Sequence, residues 1–156
     1  MSKKLLVIRL RGQVDVPPDV KHTLKLLRLH KKFHAVLVEE TPTILGMLRK
    51  VSDYVTWGEI DRDTLAVLLE RRGRLSGGRR LTLEYIQKLG FHDFKELAQA
   101  ILNGKISIKD LRELKPVFRL HPPSGGFKYT IKKRFGAGGE LGYRGSAIND
   151  LVRKMA

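Results

Sequence analysis

The spacing of apolar and polar positions changes twice along this chain. Residues 4–10 (KLLVIRL) are short, β-prone and bounded by Arg11-Gly12, which predicts a strand. The Asp15-Val16-Pro17-Pro18-Asp19 stretch opens a helix through about His30, where Val20, Leu24 and Leu27 form one apolar stripe. Residues 35–39 (AVLVE) predict a second strand. Thr41-Pro42-Thr43 starts a second helix, with a capping hydroxyl beside a proline at the first turn. Ile44, Met47, Leu48 and Val51 form its apolar face, and residues 54–58 (YVTWG) predict a third strand. The first 60 residues therefore read β-α-β-α-β.

From Asp61 the pattern turns helical. Asp61 or Asp63 caps a helix over 64–72 that Gly73 ends. A short helix follows over 82–89, ended by Gly90, and Asp93 caps another over 94–103, ended by Gly104. Ser107 caps a last turn through Leu114. Between residues 116 and 145 the periodicity disappears, and seven of the chain's 15 glycines lie between Gly125 and Gly145. A structureless stretch of about 30 residues is uncommon in a compact domain and is usually functional or disordered. A final helix over 146–155 carries Ile148, Leu151, Val152 and Met155 on one face. The predicted organisation has three segments: an α+β unit over 1–60, a helical extension over 61–115, and a long Gly-rich loop with a C-terminal helix over 116–156.

Composition narrows the chemistry. The chain has 156 residues and no cysteine, which excludes disulfides, thiolate zinc sites and cysteine nucleophiles. Its 31 basic and 16 acidic residues give a net charge of +15, and self-repulsion of that size calls for a polyanionic partner. A membrane surface is the main competitor. The basic start with its apolar run is interrupted by Arg9 and Arg11, so it reads as a strand and not a signal peptide. Residues 116–156 hold 8 basic and 2 acidic residues, the most one-sided part of the chain.

That last segment interleaves cations with flat rings: Phe118-Arg119, His121, Phe127-Lys128-Tyr129, Lys132-Lys133-Arg134-Phe135 and Tyr143-Arg144. Cations neutralise phosphates, and aromatic faces stack on unpaired bases. Glycines let the backbone approach a sugar-phosphate surface. The reading is an RNA-binding arm attached to a body that folds without it; the bland alternative is a solvated linker. Lys21, Lys25, Arg28 and Lys32 flank the first helix's stripe, where an ordinary solvated helix face explains them equally well.

Catalytic motifs fail. Gly73 to Arg80 has P-loop spacing without the Lys and Ser/Thr that complete it. Gly136-x-Gly138 has Leu141 where a dinucleotide fingerprint needs its third glycine. Asp61 and Asp63 serve better as caps than as an acid-base pair, and Trp57 reads as core filler. His30 and His34 have ligand-like spacing, but the turn between them argues against a metal site. No enzyme activity, cofactor, metal or small-molecule substrate is expected.

The residues also resemble the large-subunit ribosomal protein L-thirty family, called L-seven in eukaryotes. The short bacterial form is similar to roughly residues 3–60, through TLKLLRLHKKFHAVLVEETPTILGML at 23–48. The longer archaeal and eukaryotic form extends this through DYVTWGEI at 53–60, LKPVFRLHPPSGGF at 114–127 and GYRG at 142–145. The length, without a long basic N-terminal extension, follows the archaeal pattern. The resemblance implies a three-stranded antiparallel sheet packed on two helices. It also implies a cytoplasmic ribosomal component that binds 23S rRNA close to 5S rRNA, beside neighbouring large-subunit proteins. By matching motif position it implies RNA contact at Lys31, Lys32, His34, Thr41, Pro42 and Arg49, and at Arg119, His121 and Arg144 in the extension. A free RNA-binding assembly or processing factor is the alternative.

Overall fold

The structure is a computed structural model that describes residues 4–108, 111 and 113–156. Its strands are β1 (Lys4–Arg9), β2 (His34–Glu39), β3 (Val55–Glu59), β4 (Val117–Arg119), β5 (Thr130–Arg134) and β6 (Gly139–Tyr143). Its helices are α1 (Pro18–Leu26), α2 (Pro42–Lys50), α3 (Arg62–Arg72), α4 (Leu83–Lys88), α5 (Phe94–Leu102) and α6 (Ile148–Met155). The turn expected over 107–114 falls partly outside the described residues.

The sheet is mixed and has six strands, in the order β4-β2-β1-β3-β6-β5. This corrects the expected three-stranded antiparallel sheet. Strands β2, β1 and β3 pair antiparallel at its centre, with Val7 opposite both Val36 and Trp57. The stretch expected to be a loop supplies the other three strands. β4 pairs antiparallel with β2, placing Arg119 opposite His34, and β6 pairs parallel with β3. β5 flanks β6 in a register that breaks between Thr130 and Arg134.

The continuous apolar run of β1 has a physical reason: both of its faces are buried. Leu5 and Val7 point to one side, where α1 and α2 supply Val20, Leu24, Leu48 and Val51. Leu6 and Ile8 point to the other, where they meet Leu65, Leu68 and Leu69 of α3, Leu97 and Ile101 of α5, and Ile148, Val152 and Met155 of α6. The result is three layers, with the sheet in the middle. Leu141 of β6 belongs to this second core, so the glycine-rich segment is part of the body and not an appendage to it. Close packing here requires glycine at two positions: a Cβ on Gly139 would collide with the Lys133 carbonyl, and one on Gly58 of β3 with the Gly145 carbonyl.

Local signals explain most boundaries. The side chains of Thr41, Asp61, Thr82 and Asp93 each accept a hydrogen bond from a backbone N–H three residues on, capping α2, α3, α4 and α5. Helix α1 ends four residues before the expected His30. Arg28 adopts a left-handed φ of 64°, its N–H donates to the Lys25 carbonyl (3.0 Å), and that of Leu29 donates to the Leu24 carbonyl (2.9 Å). That pair of bonds is a Schellman close, usually built on glycine.

Candidate nucleic-acid interface

The close of α1 sets the path of the chain into β2. Arg28 leaves the helix, so the expected flank splits: Lys21 and Lys25 stay on α1, while Arg28 and Lys32 sit in the turn before β2. Phe33 is also left-handed (φ 68°); its N–H donates to the Arg9 carbonyl at 2.7 Å. Its own carbonyl accepts from the Leu120 N–H (3.1 Å), and its ring lies 6.2 Å from that of Phe127. These contacts clamp the turn between β1 and the chain leaving β4. Lys31 and Lys32 project from it, with Lys32 Nζ 5.0 Å from the Phe33 ring centre.

Arg9 lies beneath this turn, 3% exposed in an otherwise apolar strand. Its guanidinium donates to three main-chain carbonyls: Leu29 (2.7 Å), Arg11 (2.8 Å) and Gly12 (3.1 Å). No carboxylate is among these acceptors, so the hydrogen bonds are satisfied while the charge is not. Burial holds its pKa below the ordinary arginine value. Arg9 lines a groove of about 230 Å³ with Gln13, Lys21, Lys25, His30 and Lys31.

His34 reports the field at this end of the sheet. Its pKa is lowered first by burial and then by Arg119, His30, Lys31 and Arg9, all of them basic. Its Nδ1 is buried with no hydrogen-bond partner among the described residues. Segments far apart in sequence thus bring to one place positive charge that has no ion-pair partner among the described residues. Such clustering focuses potential toward an anion.

The β5–β6 side is built differently. Lys128, Tyr129, Lys132, Lys133 and Phe135 are exposed, and Lys128 Nζ lies 5.5 Å from the Tyr129 ring centre. Arg134 is tied to the end of α2, donating to Ser52 Oγ (3.0 Å) and lying 3.6 Å from the Asp53 carboxylate. Tyr143, 53% exposed, donates its hydroxyl to the Glu59 carboxylate at 2.6 Å. These rings and cations lie beyond β3, on the far side of the sheet from β4.

Four of the expected contact residues have internal work. Arg144 is 7% exposed; its guanidinium donates to Thr56 Oγ1 (2.7 Å) and to Glu140 Oε2 (2.7 Å), and packs on the Phe135 ring. Arg144, expected to contact RNA, is thus buried and paired within the protein. The His121 ring is within hydrogen-bond distance of the Pro122 carbonyl (2.6 Å) and the Ala156 carbonyl (2.8 Å), fastening the chain to the end of α6. Thr41 caps α2, and Pro42 occupies its first turn. Arg49, in the last turn of α2, is exposed.

The comparisons with known proteins add to this geometry. Residues 5–55 match the family described as ribosomal protein L30p/L7e. The large ribosomal subunit protein uL30 of Thermofilum pendens is 59% identical over 151 residues, covering 96% of this chain and 97% of its own length. The chain belongs to the uL30 family. The uL30 of Hyperthermus butylicus is 60% identical over 98% of this chain and 90% of its own. That of Nanoarchaeum equitans is 54% identical, covering 94% of each.

The family match at 5–55 takes in β1 to the start of β3, while the full-length uL30 relatives also span the second core and the β5–β6 edge. Sequence reasoning passed over Arg9, because a cation inside KLLVIRL looks like an interruption of a strand. It also passed over Arg72, Arg74 and Lys115. The sign of Arg72 and Arg74 was the density of arginines around Gly73 and Gly77-Gly78; Lys115 stood only as part of LKPVFRLHPPSGGF.

Proposed function

We propose that this uL30-family chain is a structural constituent of the large ribosomal subunit that binds and stabilises folded rRNA. The observation that carries the reading is the cluster of Arg9, Lys25, Lys31, His34 and Arg119, where positive charge converges with no ion-pair partner among the described residues. RNA phosphates supply the missing counter-charge, and this electrostatic contact positions a protein on folded RNA. Lys25, Arg28, Lys31, Lys32, His34, Arg49 and Arg119 form one contact surface in this reading. Lys128, Tyr129, Lys132, Lys133, Arg134, Phe135 and Tyr143 form a second, offering both charge and rings for stacking. Phe127, His121, Arg144, Thr41 and Pro42 hold these surfaces in place.

Within this reading, residues 1–60 are the α+β unit, 61–115 the helical extension, and 116–156 the segment that completes the sheet and carries the second RNA surface. The partners are 23S rRNA, with 5S rRNA nearby, and adjacent large-subunit proteins in the cytoplasmic ribosome. The role is that of a scaffold, not a catalyst.

Sucrose-gradient sedimentation of cell extract tests this. A structural constituent co-sediments with large subunits, near one copy each, and stays there through a high-salt wash. A free assembly or processing factor is released by the wash or runs in substoichiometric amount.

A further inference from the structure

The end of α3 and the edge strand β4 form a second basic site. After Gly73 the chain doubles back: Leu75 N–H donates to the Arg79 carbonyl (2.6 Å) and Leu81 N–H to that of Gly73 (3.0 Å). The turn is stitched to the approach of β4 by Lys115 N–H donating to the Arg74 carbonyl (2.8 Å) and Ser76 N–H to that of Glu113 (2.8 Å). Arg72, Arg74, Lys115 and Arg119, with Gly78 and Val117, line the resulting cleft of about 210 Å³.

Among the described residues, no acidic side chain is in that lining. Glu113 lies 3.9 Å from Arg79, which does not line the cleft. Arg74 is fixed by donating Nη1 to the carbonyls of Gly73 (2.9 Å) and Arg71 (3.2 Å). Arg72 Nε is buried with no hydrogen-bond partner among the described residues. Burial, and then Arg80 and Arg72, hold the Arg74 pKa below the ordinary value. A helix C-terminus attracts cations through its dipole, which accounts for Arg71 and Arg72 being there. It accounts neither for the buried Nε nor for Lys115 and Arg119 arriving from β4. Clefts that enclose a drug-sized ligand run to roughly 300–1,000 Å³; this one is smaller and suits a single tetrahedral oxyanion. Arginine's fork of donors matches such an anion better than a lysine point charge does.

We propose that the Arg72–Arg74–Lys115–Arg119 cleft is a discrete phosphate-binding site. It rests on the rRNA reading only for the source of the phosphate, which is an RNA phosphodiester or the free anion.

The test is calorimetric titration of the full chain with inorganic phosphate at constant ionic strength. The variants are Arg72→Gln/Arg119→Gln, the exposed-site variant Lys115→Gln, and the charge control Lys88→Gln/Lys105→Gln. The wild type should give a saturable one-to-one heat. The arginine pair should weaken it by at least about ten-fold, the typical effect of losing charge-assisted hydrogen bonds. Lys115→Gln, which serves if the arginine pair fails to fold, should weaken it in the same direction, and the control should leave it unchanged. An rRNA fragment that competes for the heat, and that the arginine pair binds more weakly, identifies the phosphodiester as ligand. Heat unaffected by rRNA identifies the free anion. A non-saturable heat, or one lowered equally by the control, reduces the cleft to diffuse screening and overturns the proposal. A wild type that binds phosphate but no rRNA sinks the rRNA reading and leaves this site standing.

Discussion

The Arg144 guanidinium meets the Glu140 carboxylate at 2.7 Å, with both side chains almost fully buried. The same guanidinium donates to Thr56 of β3, so one ion pair fastens β6 to the centre of the sheet. Removing one partner of a buried pair leaves the other's charge uncompensated and costs roughly 3–5 kcal/mol. Arg144→Met should therefore lower the thermal midpoint strongly, and Arg144→Met/Glu140→Leu should recover much of the loss. Where Arg144→Met still folds, its rRNA affinity should keep the wild-type salt dependence, because Arg144 reaches no phosphate. Thermal melts and filter binding on the two variants check both halves.

Arg28 holds a left-handed conformation that closes α1, a position that favours glycine. Arg28→Gly should stabilise the free protein by roughly 0.5–1 kcal/mol through relief of that backbone cost. The same change should weaken rRNA binding and reduce the slope of log affinity against log salt by about one. Denaturant melts and a salt series on this variant should move in opposite directions. A loss of stability would show that the Arg28 side chain, not its backbone, holds the turn.

Much of this architecture was legible in the chain, for identifiable reasons. KLLVIRL is β-prone enough to read as a strand despite Arg9, and the Thr41 and Asp93 caps are local hydrogen bonds legible from residue type and position; Asp61 stood beside Asp63 as a candidate, and Thr82 read as the first residue of its helix, not as its cap. Strands β5 and β6 were not legible. Residues Thr130, Lys132, Lys133 and Arg134 of β5 are exposed, so no apolar alternation marks the strand. GELGY of β6 is stabilised by pairing with Thr56 and Trp57, more than 80 positions away, which no local pattern reports. At the candidate interface, a cation-ring alternation drew attention to exposed residues and to Arg144 alike. Sequence could not separate them, because burial decides whether an arginine faces Glu140 or an RNA phosphate.

His34 links the interface to pH. Burial first, then Arg119, His30, Lys31 and Arg9, hold its pKa below the ordinary 6.5. Between the folded and unfolded values the unfolded chain binds the extra proton. The His34 contribution to stability is therefore complete above about pH 6.5 and is lost as pH falls through the folded value. Melting temperatures of His34→Gln should accordingly fall less steeply from pH 7 to pH 5 than those of the wild type. A phosphate beside the imidazole favours its charged form, so rRNA binding should take up a proton at His34 and tighten as pH falls. Identical pH profiles for wild type and His34→Gln would remove His34 from both roles.

Positive charge gathered at the β1–β2–β4 end of the sheet should be what engages rRNA. A filter-binding salt series on a large-subunit rRNA fragment tests it, comparing the wild type with Lys25→Gln/Lys31→Gln/Lys32→Gln/Arg119→Gln. These four side chains are exposed and not part of either core, so the variant should melt cooperatively near the wild-type midpoint. Each phosphate contact contributes roughly 0.7–0.9 to the slope of log affinity against log salt. The variant's slope should therefore be smaller by about 3, with affinity at low salt falling correspondingly. An unchanged slope in a folded variant would place the electrostatic contacts elsewhere on the molecule and contradict the account.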